Sequence, residues 1–389
     1  MPGFEVIGSE ENAAVAEIFD QSNGVLFAHG FANLRNNRYR VREFERAFAA
    51  KIGSAHALAV TSGTVAQFVA MQGMGIKRGD EVITQAFTFV ATVEAILALG
   101  ATPVIVDIND TYNMDPRAME RAITDKTRLI VPVHMLGNPC EMDQIRSVAN
   151  RHQIPVLEDA CEALGATFRQ AAVGTLGEVG VYSLDFAKTI TSGEGGLIVT
   201  RSSALDKRCR EYHDHGHENN PSRPRGLDTR TAPGLNFRMT EMQAAVGMAQ
   251  LAKMDQIVAT NRRNKKIMKQ YIAESPKVRF RRITDEAGDL ADTLIFSFEG
   301  KPETDAFLKK YLTAGMITKN IPDAVDWHFA GRWNHMFGEV PAYRDLWPTA
   351  WKRSADLLER SVAIPIFVRE TEAEMHRKGE QMADWINSI

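Results

Sequence analysis

Short apolar runs alternate with stretches of helical spacing from about residue 55 onward, and this alternation constrains the fold more than any other feature of the sequence. Strands that alternate with helices are joined by crossover connections, which give a mostly parallel sheet. The runs are apolar almost throughout, as expected for strands covered on both faces. The candidate strands are AHALAV (55–60), DEVITQ (80–85), TPVIVDI (102–108), RLIVPVHM (128–135), IPVLED (154–159), VGVYSLDF (179–186) and GEGGLIVT (193–200). The sequence therefore predicts an α/β fold with a mostly parallel seven-stranded sheet.

The pattern changes after residue 200, which helps to divide the chain. Residues 201–240 break the alternation, and the polar segment HDHGHENNPSRPRGLDTRTAPG (213–234) is typical of a long loop. A helical segment follows from residue 240, and β-like and helical runs return after about 276. At 389 residues the chain is long enough for two or three domains. We predict a large domain over residues 1–250, then a bridging helix and a smaller C-terminal α/β domain over 251–389.

Composition excludes several classes of protein. Lys+Arg 46 against Asp+Glu 49 gives a net charge of −3, without the basic stripe of a nucleic-acid-binding protein. No apolar stretch approaches the ~20 residues of a membrane span, and the first residues lack the pattern of a signal peptide. The three cysteines are widely spaced, which favours neither a metal site nor disulfides. We expect a cytoplasmic protein that has no metal and binds neither nucleic acid nor a membrane.

Ligands of open parallel sheets bind beyond the carboxyl ends of the strands. The first predicted strand ends in TSGT, where Ser62, Gly63 and Thr64 begin a helix. A helix N-terminus with small hydroxyl residues binds anions through its backbone N–H groups and its dipole. An ordinary N-cap would have the same sequence, so the motif alone leaves both interpretations open.

Further strand ends carry an aromatic ring, a carboxylate, a hydroxyl and a lysine. Phe89 could stack on a flat ligand or pack in the core. Asp159 ends an apolar run, and a buried carboxylate needs a partner, for which a ligand cation is one candidate. Ser183 ends another run, and Lys188 follows as a solvated loop residue or as a nucleophile that forms a Schiff base. Together these groups match pyridoxal 5′-phosphate, which has a phosphate, a planar ring, a basic ring nitrogen and an aldehyde.

The motifs TSGTVA, FTFVATVEAI, EDACEALGA, YSLDFAKTITSGEGG and GLNFRMTEMQAAVG resemble the DegT/StrS-type sugar aminotransferases, which share the fold-type I fold of aspartate aminotransferase. The resemblance implies that Lys188 forms the Schiff base with pyridoxal 5′-phosphate and that Asp159 pairs with its ring nitrogen. It also implies that Phe89 stacks on the ring and that Gly63, Thr64 and Ser183 hold the phosphate. Asn236 matches the residue that reaches the phosphate of the neighbouring subunit, which implies a homodimer with shared active sites.

The resemblance further implies transfer of an amino group from L-glutamate to a keto or aldehyde sugar. The segments MPGFEVIG, HDHGHENN and DWHFAGRWNHM resemble those of octulosonate-aminating members of the family, which implies an eight-carbon sugar, either an octulosonate-like acid or an octose linked to a nucleotide. His328 falls where the family commonly has a substrate-side histidine, and Arg225 in the polar loop could clamp a carboxylate or a diphosphate. Alternatively, Arg225 is one of several charged loop residues that are exposed to solvent and bind no substrate. Two alternatives remain for the whole chain. One is a sugar 3-dehydratase of the same fold, but relatives with that chemistry replace the Schiff-base lysine with histidine or add a cysteine-bound iron–sulfur cluster. The other is a non-catalytic protein that senses a ligand.

Glu162 departs from the family pattern, which usually has Gln or His at this place. It follows Asp159 by three residues, so we expect both side chains near the cofactor ring, with Glu162 close to the phenolic oxygen. A carboxylate donates a hydrogen bond only when it is protonated. Either Glu162 holds a proton, or its charge favours a protonated Schiff-base nitrogen, or the side chain turns away to an arginine or to solvent.

Overall fold

The computed structural model describes residues 3–220, 222–337, 343 and 350–389. Its strands up to residue 200 are β1 (His56–Val60), β2 (Glu81–Gln85), β3 (Thr102–Val106), β4 (Thr127–Ile130), β5 (Leu157–Asp159), β6 (Thr167–Phe168), β7 (Ala171–Ala172), β8 (Val179–Ser183) and β9 (Gly196–Thr200). All of these except the short hairpin of β6 and β7 belong to the central sheet.

The central sheet has the strand order β3-β2-β4-β5-β8-β9-β1. In one half of the sheet, β2 pairs in parallel with both β3 and β4. In the other half, β5 pairs in parallel with β8. Two isolated parallel bridges, which link β4 and the residues after it to β5 and the residue before it, connect the two halves. Strand β9 alone runs antiparallel, to β8 and to β1. The predicted α/β fold with a mostly parallel seven-stranded sheet is therefore confirmed among the described residues.

Helices cover the sheet and explain why its strands are apolar on both faces. The helices before residue 240 are α1 (Ser9–Ser22), α2 (Arg40–Ile52), α3 (Gly63–Met74), α4 (Ala91–Ala98), α5 (Pro116–Arg121), α6 (Met142–His152) and α7 (Ser203–His213). Two clusters of buried side chains join helices to the sheet. One contains Phe44 and Phe48, and the other contains Val60 and Val69. These layers fix the ends of the strands, where the predicted site residues lie.

Helix α7 occupies part of the segment that we expected to lack regular structure. Its N-cap is Ser202, whose hydroxyl accepts a hydrogen bond from the backbone N–H of Leu205. Only four of its residues are buried, so its charged surface hides the helical period in the sequence. The polar segment after residue 213 is an extended loop with one short 3₁₀ turn, Arg225–Leu227, as predicted.

The C-terminal part of the chain adds a small antiparallel sheet and its covering helices. Its elements are α8 (Glu241–Gln270), β10 (Arg279–Phe280), β11 (Thr293–Ser297), α9 (Lys301–Thr313), α10 (Val325–His328), α11 (Asn334–Phe337), α12 (Lys352–Glu359), β12 (Ser361–Pro365) and α13 (Glu372–Asn387). Strand β11 pairs with both β10 and β12. Helix α8 begins with a capping box of Thr240 and Gln243 and runs unbroken across residue 250. The division into two domains near that residue stays a prediction.

Helices long and apolar enough to cross a membrane do not occur in the described ranges.

Candidate active site

A cavity of about 400 Å³ lies beyond the carboxyl ends of β1, β5 and β8. The predicted residues that line it are Gly63, Thr64, Phe89, Asp159, Glu162, Ser183, Lys188 and His328. The structure thus brings together residues from five segments that are far apart in the sequence. A more open cavity of about 610 Å³ lies beside α6, but none of the predicted site residues lines it.

Lys188 lies in the turn that follows β8, and one fifth of its side chain is exposed. Its Nζ is 3.7 Å from Oε1 of Glu162. The turn is fixed by backbone hydrogen bonds, including one from the N–H of Gly3 to the carbonyl of Lys188 at 2.9 Å. Burial is the largest single influence and would lower the pKa of Lys188, but nearby negative charges, with Glu162 foremost, together outweigh it and raise the pKa. The lysine is therefore a charged group held inside the cavity and not a solvated loop residue.

Asp159 ends β5 and is 2% exposed. Its Oδ2 accepts a hydrogen bond from Thr92 Oγ1 at 2.8 Å, and its Oδ1 accepts one from the backbone N–H of Cys161 at 3.1 Å. These bonds fix the carboxylate, yet no cationic side chain among the described residues pairs with it. A buried carboxylate in this state fits a cation supplied by a ligand, such as a protonated ring nitrogen.

The N-terminus of α3 forms one wall of the cavity. Ser62 caps the helix, because its Oγ accepts from the N–H of Val65 at 3.2 Å. The first N–H groups of a helix lack intrahelical acceptors, and Gly63 and Thr64 supply two of them at the cavity wall. A Cβ at Gly63 would lie only 2.8 Å from Cβ of Ser183, so glycine is needed where the helix meets β8. TSGT can therefore be both an ordinary N-cap and an anion site, since Ser62 caps the helix and the N–H groups next to it are suitable donors for a phosphate.

Phe89 and His328 face each other across the cavity mouth. Their ring centroids are 5.3 Å apart, and Phe89 is 40% exposed. Nδ1 of His328 lies 2.8 Å from the carbonyl of Ala324, which can accept its N–H, and Nε2 lies 3.6 Å from Oε1 of Glu162. An exposed aromatic ring at this place is available for stacking on a ligand. That Phe89 stacks on the cofactor and that His328 contacts the substrate stay predictions.

Glu162 lies between Lys188 and His328 and is nearly buried. Its Oε1 is 3.7 Å from Nζ of Lys188 and 3.6 Å from Nε2 of His328. Asn320 Nδ2 and the backbone N–H of Leu136 donate to the carboxylate at 3.3 Å. Burial favours the neutral acid, but Lys188 and His328 outweigh it and hold the pKa of Glu162 well below its usual value. In this structure the side chain is charged and does not turn away to an arginine or to solvent.

Asn236 and Arg225 lie outside the cavity of their own chain. Asn236 is exposed and forms a backbone bridge with Asp214. The guanidinium of Arg225 makes two hydrogen bonds to the buried carboxylate of Asp214, at 2.7 and 2.5 Å. Within one chain, therefore, the structure does not bring either residue to the predicted site, and their roles there stay predictions.

Several cavity residues were not predicted from the sequence. Gln67, on α3, is 2% exposed and lines the cavity. Lys319 and Asn320 reach the cavity from the C-terminal part, where Nζ of Lys319 is 2.6 Å from Oδ2 of Asp292. The spacing of Gln67 from Gly63, one helical turn, is the signal that could have indicated it. Lys319 and Asn320 carry no such signal, because only tertiary packing brings them here.

The residues present fit pyridoxal 5′-phosphate in the chemistry of their donors. The first turn of α3 and Ser183 offer hydrogen-bond donors for a phosphate, Asp159 offers a buried anion for a ring nitrogen, and Lys188 offers an amine for an aldehyde. No cluster of metal-ligating side chains occurs in the part of the chain that the structure describes. The fold and this cavity define a protein of the fold-type I, aspartate-aminotransferase-like class.

The chain belongs to the DegT/DnrJ/EryC1/StrS aminotransferase family, whose model matches residues 29–382. It is similar to GDP-perosamine synthase of Caulobacter vibrioides, with 43% identity over 223 residues, which are 57% of this chain and 58% of that protein. The L-glutamine:2-deoxy-scyllo-inosose aminotransferase of Streptoalloteichus tenebrarius is 38% identical over 239 residues, or 60% of this chain and 56% of that one. Both alignments thus span less than two thirds of the relative.

The fold is also shared with a solved structure over nearly its whole length. The aminotransferase from Psychrobacter cryohalolentis superposes with a TM-score of 0.85 and 28% identity, over 98% of this chain and 97% of that chain. The fold-type I assignment therefore applies to the described chain as a whole.

Proposed function

We propose that this protein is a pyridoxal 5′-phosphate-dependent aminotransferase that moves an amino group from L-glutamate to a keto or aldehyde group of a sugar. The observation that carries the proposal is one cavity that contains a lysine amine, a buried carboxylate without a cation partner and the N-terminus of a helix. These are the three groups that the cofactor's aldehyde, ring nitrogen and phosphate require. Membership of an aminotransferase family supports the same activity.

Each cavity residue has a distinct part in this activity. The bound cofactor would supply an electron-withdrawing ring that takes up electron density from a substrate carbon. Asp159 holds a proton on the ring nitrogen, because its carboxylate is buried and fixed by Thr92. Nζ of Lys188 removes a proton from the substrate carbon and returns it as general base and acid. Glu162, 3.7 Å away, stabilises positive charge on that Nζ.

The charges of the cavity support a homodimer with shared sites. Its described lining has the carboxylates of Asp159, Glu162, Asp185, Glu194 and Asp292 but only two lysines, Lys188 and Lys319, as permanent cations. A cofactor phosphate and an acidic amino donor would add more negative charge. Cations from outside the chain would balance it, and the loop that carries Asn236 also carries Arg223, Arg225 and Arg230, which a second copy could supply.

For the acceptor we propose an eight-carbon sugar, either an octulosonate-like acid or an octose linked to a nucleotide. The support is the likeness of DWHFAGRWNHM and the polar loop to octulosonate-aminating members of the family. His328 in the first of these segments lines the cavity, and its Nε2 is placed to contact a substrate hydroxyl or carboxylate. Arg225 would reach the acceptor from the partner subunit. The free thiols of Cys140, Cys161 and Cys209 suit the cytoplasm, where we propose that the protein acts.

A sugar 3-dehydratase of the same fold is less well supported, because Lys188 is present and faces the cavity. The three cysteines do not form a cluster with other metal ligands in the described ranges. The two functions give different products, since a dehydratase removes water from the sugar and adds no nitrogen to it.

A two-stage assay tests the proposal. Purified protein is loaded with pyridoxal 5′-phosphate and its visible absorbance is recorded before and after L-glutamate, with L-glutamine as the competing donor. Keto and aldehyde sugars, including eight-carbon acids, are then screened by loss of glutamate and by mass spectrometry of the product. We expect a visible band that L-glutamate shifts and a product that gains an amino group. A protein that gives no band with the cofactor, or a band that neither donor changes, would contradict the proposal.

A further inference from the structure

Gln67 places an unpaired polar group against the cavity. The residue is 2% exposed, and it lines the cavity that holds Lys188 and Asp159. Its Oε1 is buried and accepts no hydrogen bond from any residue that the structure describes. Glutamine is mostly exposed in folded proteins, and a buried amide oxygen is costly to leave without a donor. Packing within the protein therefore gives no reason for an amide at this place.

The position of Gln67 on α3 shows what the amide faces. It follows Gly63 by four residues, so the two lie on one face of the helix. That face packs on the site, because a Cβ at Gly63 would be 2.8 Å from Cβ of Ser183 and 3.1 Å from Sγ of Cys161. The other buried residues of the helix around Gln67 are apolar: Ala66, Val69 and Ala70. Gln67 thus adds a polar group on the helix face that borders the ends of β5 and β8.

We propose that Gln67 is a further cofactor-binding residue, whose side-chain amide forms a hydrogen bond with bound pyridoxal 5′-phosphate. The inference rests on the proposed function, which brings that ligand into the cavity. Asp159, in the same cavity, already accepts hydrogen bonds from Thr92 and from the N–H of Cys161. Gln67 differs in that its acceptor is buried and unpaired until a ligand arrives.

If this is correct, Gln67→Leu makes the cofactor-free protein more stable but weakens its binding of the cofactor. The cofactor-free variant should melt at a higher temperature than the cofactor-free parent, because an apolar side chain replaces an unpaired buried amide. Its dissociation constant for pyridoxal 5′-phosphate, measured by equilibrium titration of the visible band, should rise about tenfold, the effect of one lost hydrogen bond. Gln72→Leu is the matched control, because Gln72 lies on the same helix but does not line the cavity. It should leave the dissociation constant unchanged.

A second variant, Gln67→Met, keeps the length of the side chain and should show the same pair of changes, so the test does not depend on one variant folding. Equal dissociation constants for the parent and both variants would overturn the inference and leave the proposed function standing. A parent protein that does not bind the cofactor at all would overturn both. A dissociation constant that rises while the melting temperature of the cofactor-free protein falls would also contradict the inference, because the amide would then be stabilised within the protein.

Discussion

At the scale of single residues, Glu162 is the point where charge in the cavity is balanced. Lys188, His328, Asn320 and the backbone of Leu136 all approach its carboxylate, and none of these contacts is shorter than 3.3 Å. Leu136 adopts a left-handed backbone conformation with φ of 50°, which is uncommon for a residue other than glycine. A strained backbone turn and two side chains from the C-terminal part thus converge on one carboxylate. Such convergence is typical of functional sites.

Glu162→Gln tests the role of this charge. The carboxylate stabilises the protonated form of the nitrogen at Lys188, so removing the charge should make that nitrogen lose its proton at lower pH. We expect the pH midpoint of the visible absorbance change in the cofactor-loaded protein to fall by about 1–3 units. Glu194→Gln is the control, because Glu194 lines the same cavity without an ion pair to Lys188 among the described residues. Titration curves that coincide for the parent and Glu162→Gln would show that the charge does not act on this nitrogen.

At the scale of secondary-structure elements, the sequence predicts the sheet and the residues at its strand ends. Asp159, Ser183 and Lys188 could be identified because they end or follow apolar runs, and the carboxyl ends of parallel strands meet at one edge. The structure brings these residues into one cavity. The antiparallel direction of β9 was not predicted, because a short apolar run carries no sign of its direction.

Other parts of the site could not be predicted, for physical reasons. Lys319 and Asn320 enter the cavity only because the C-terminal part packs against the central sheet, and no local pattern reports that packing. Arg225 was assigned to the substrate from its residue type, whereas the structure pairs it with Asp214. Composition alone does not show which carboxylate an arginine will meet. Helix α7 was missed because only four of its residues are buried and two of those, Glu211 and His213, are polar, so its apolar residues show no clear helical period.

A fully buried carboxylate, Asp214, helps to hold the polar loop that follows α7. The side chain of Asp214 is fully buried and pairs with Arg225, Arg238 and His29, which come from three segments. Backbone hydrogen bonds from Leu235 and Phe237 return the end of the loop to α7. The loop has few apolar residues, and polar contacts within the folded chain give it a fixed frame. Ion pairs and hydrogen bonds, and not apolar packing, therefore hold the loop in place.

Asp214→Asn should destabilise the protein in a pH-dependent way. Burial favours the neutral acid, but Arg225 and His29 outweigh it and hold the pKa of Asp214 well below its usual value. The stabilisation is therefore present above the unfolded-state pKa of about 4 and is lost as the pH falls toward the lower folded-state value. We expect the variant to lose about 3 kcal/mol of the free energy of unfolding at pH 7, as measured by urea denaturation.

The difference between parent and Asp214→Asn should shrink when the same measurement is made below about pH 4. Asp255→Asn is the control, because Asp255 is 79% exposed in its pair with Lys51 and should change stability little at either pH. A pH-independent difference would mean that Asp214 acts through its shape and hydrogen bonds and not through its charge.

At the scale of the whole molecule, the described chain has Lys188 and the N-terminus of α3 in one cavity but leaves Asn236 outside it. A shared-site homodimer would place Asn236 of each subunit at the other's cavity. Mixing Lys188→Ala with Asn236→Ala protein and allowing subunits to exchange then creates heterodimers in which one of the two sites is intact. Statistical exchange of equal amounts should restore about a quarter of the parent's sites, whereas each variant alone should be inactive at limiting cofactor concentration.

Activity that does not recover on exchange, with heterodimers demonstrated by native mass spectrometry, would contradict sharing of Asn236. A fully active monomer in analytical ultracentrifugation would contradict it as well.

The identity of the lysine that binds the cofactor is the most direct test of the proposed function. Lys188 and Lys319 both line the cavity, but Nζ of Lys319 is 2.6 Å from the carboxylate of Asp292, whereas Nζ of Lys188 is 3.7 Å from its nearest carboxylate oxygen, on Glu162. The protein loaded with pyridoxal 5′-phosphate is reduced with borohydride and digested, and its peptides are sequenced by mass spectrometry. We expect the phosphopyridoxyl group on Lys188, and no label in the cavity of Lys188→Ala protein. A label on Lys319, or a protein that takes up no label, would contradict the account.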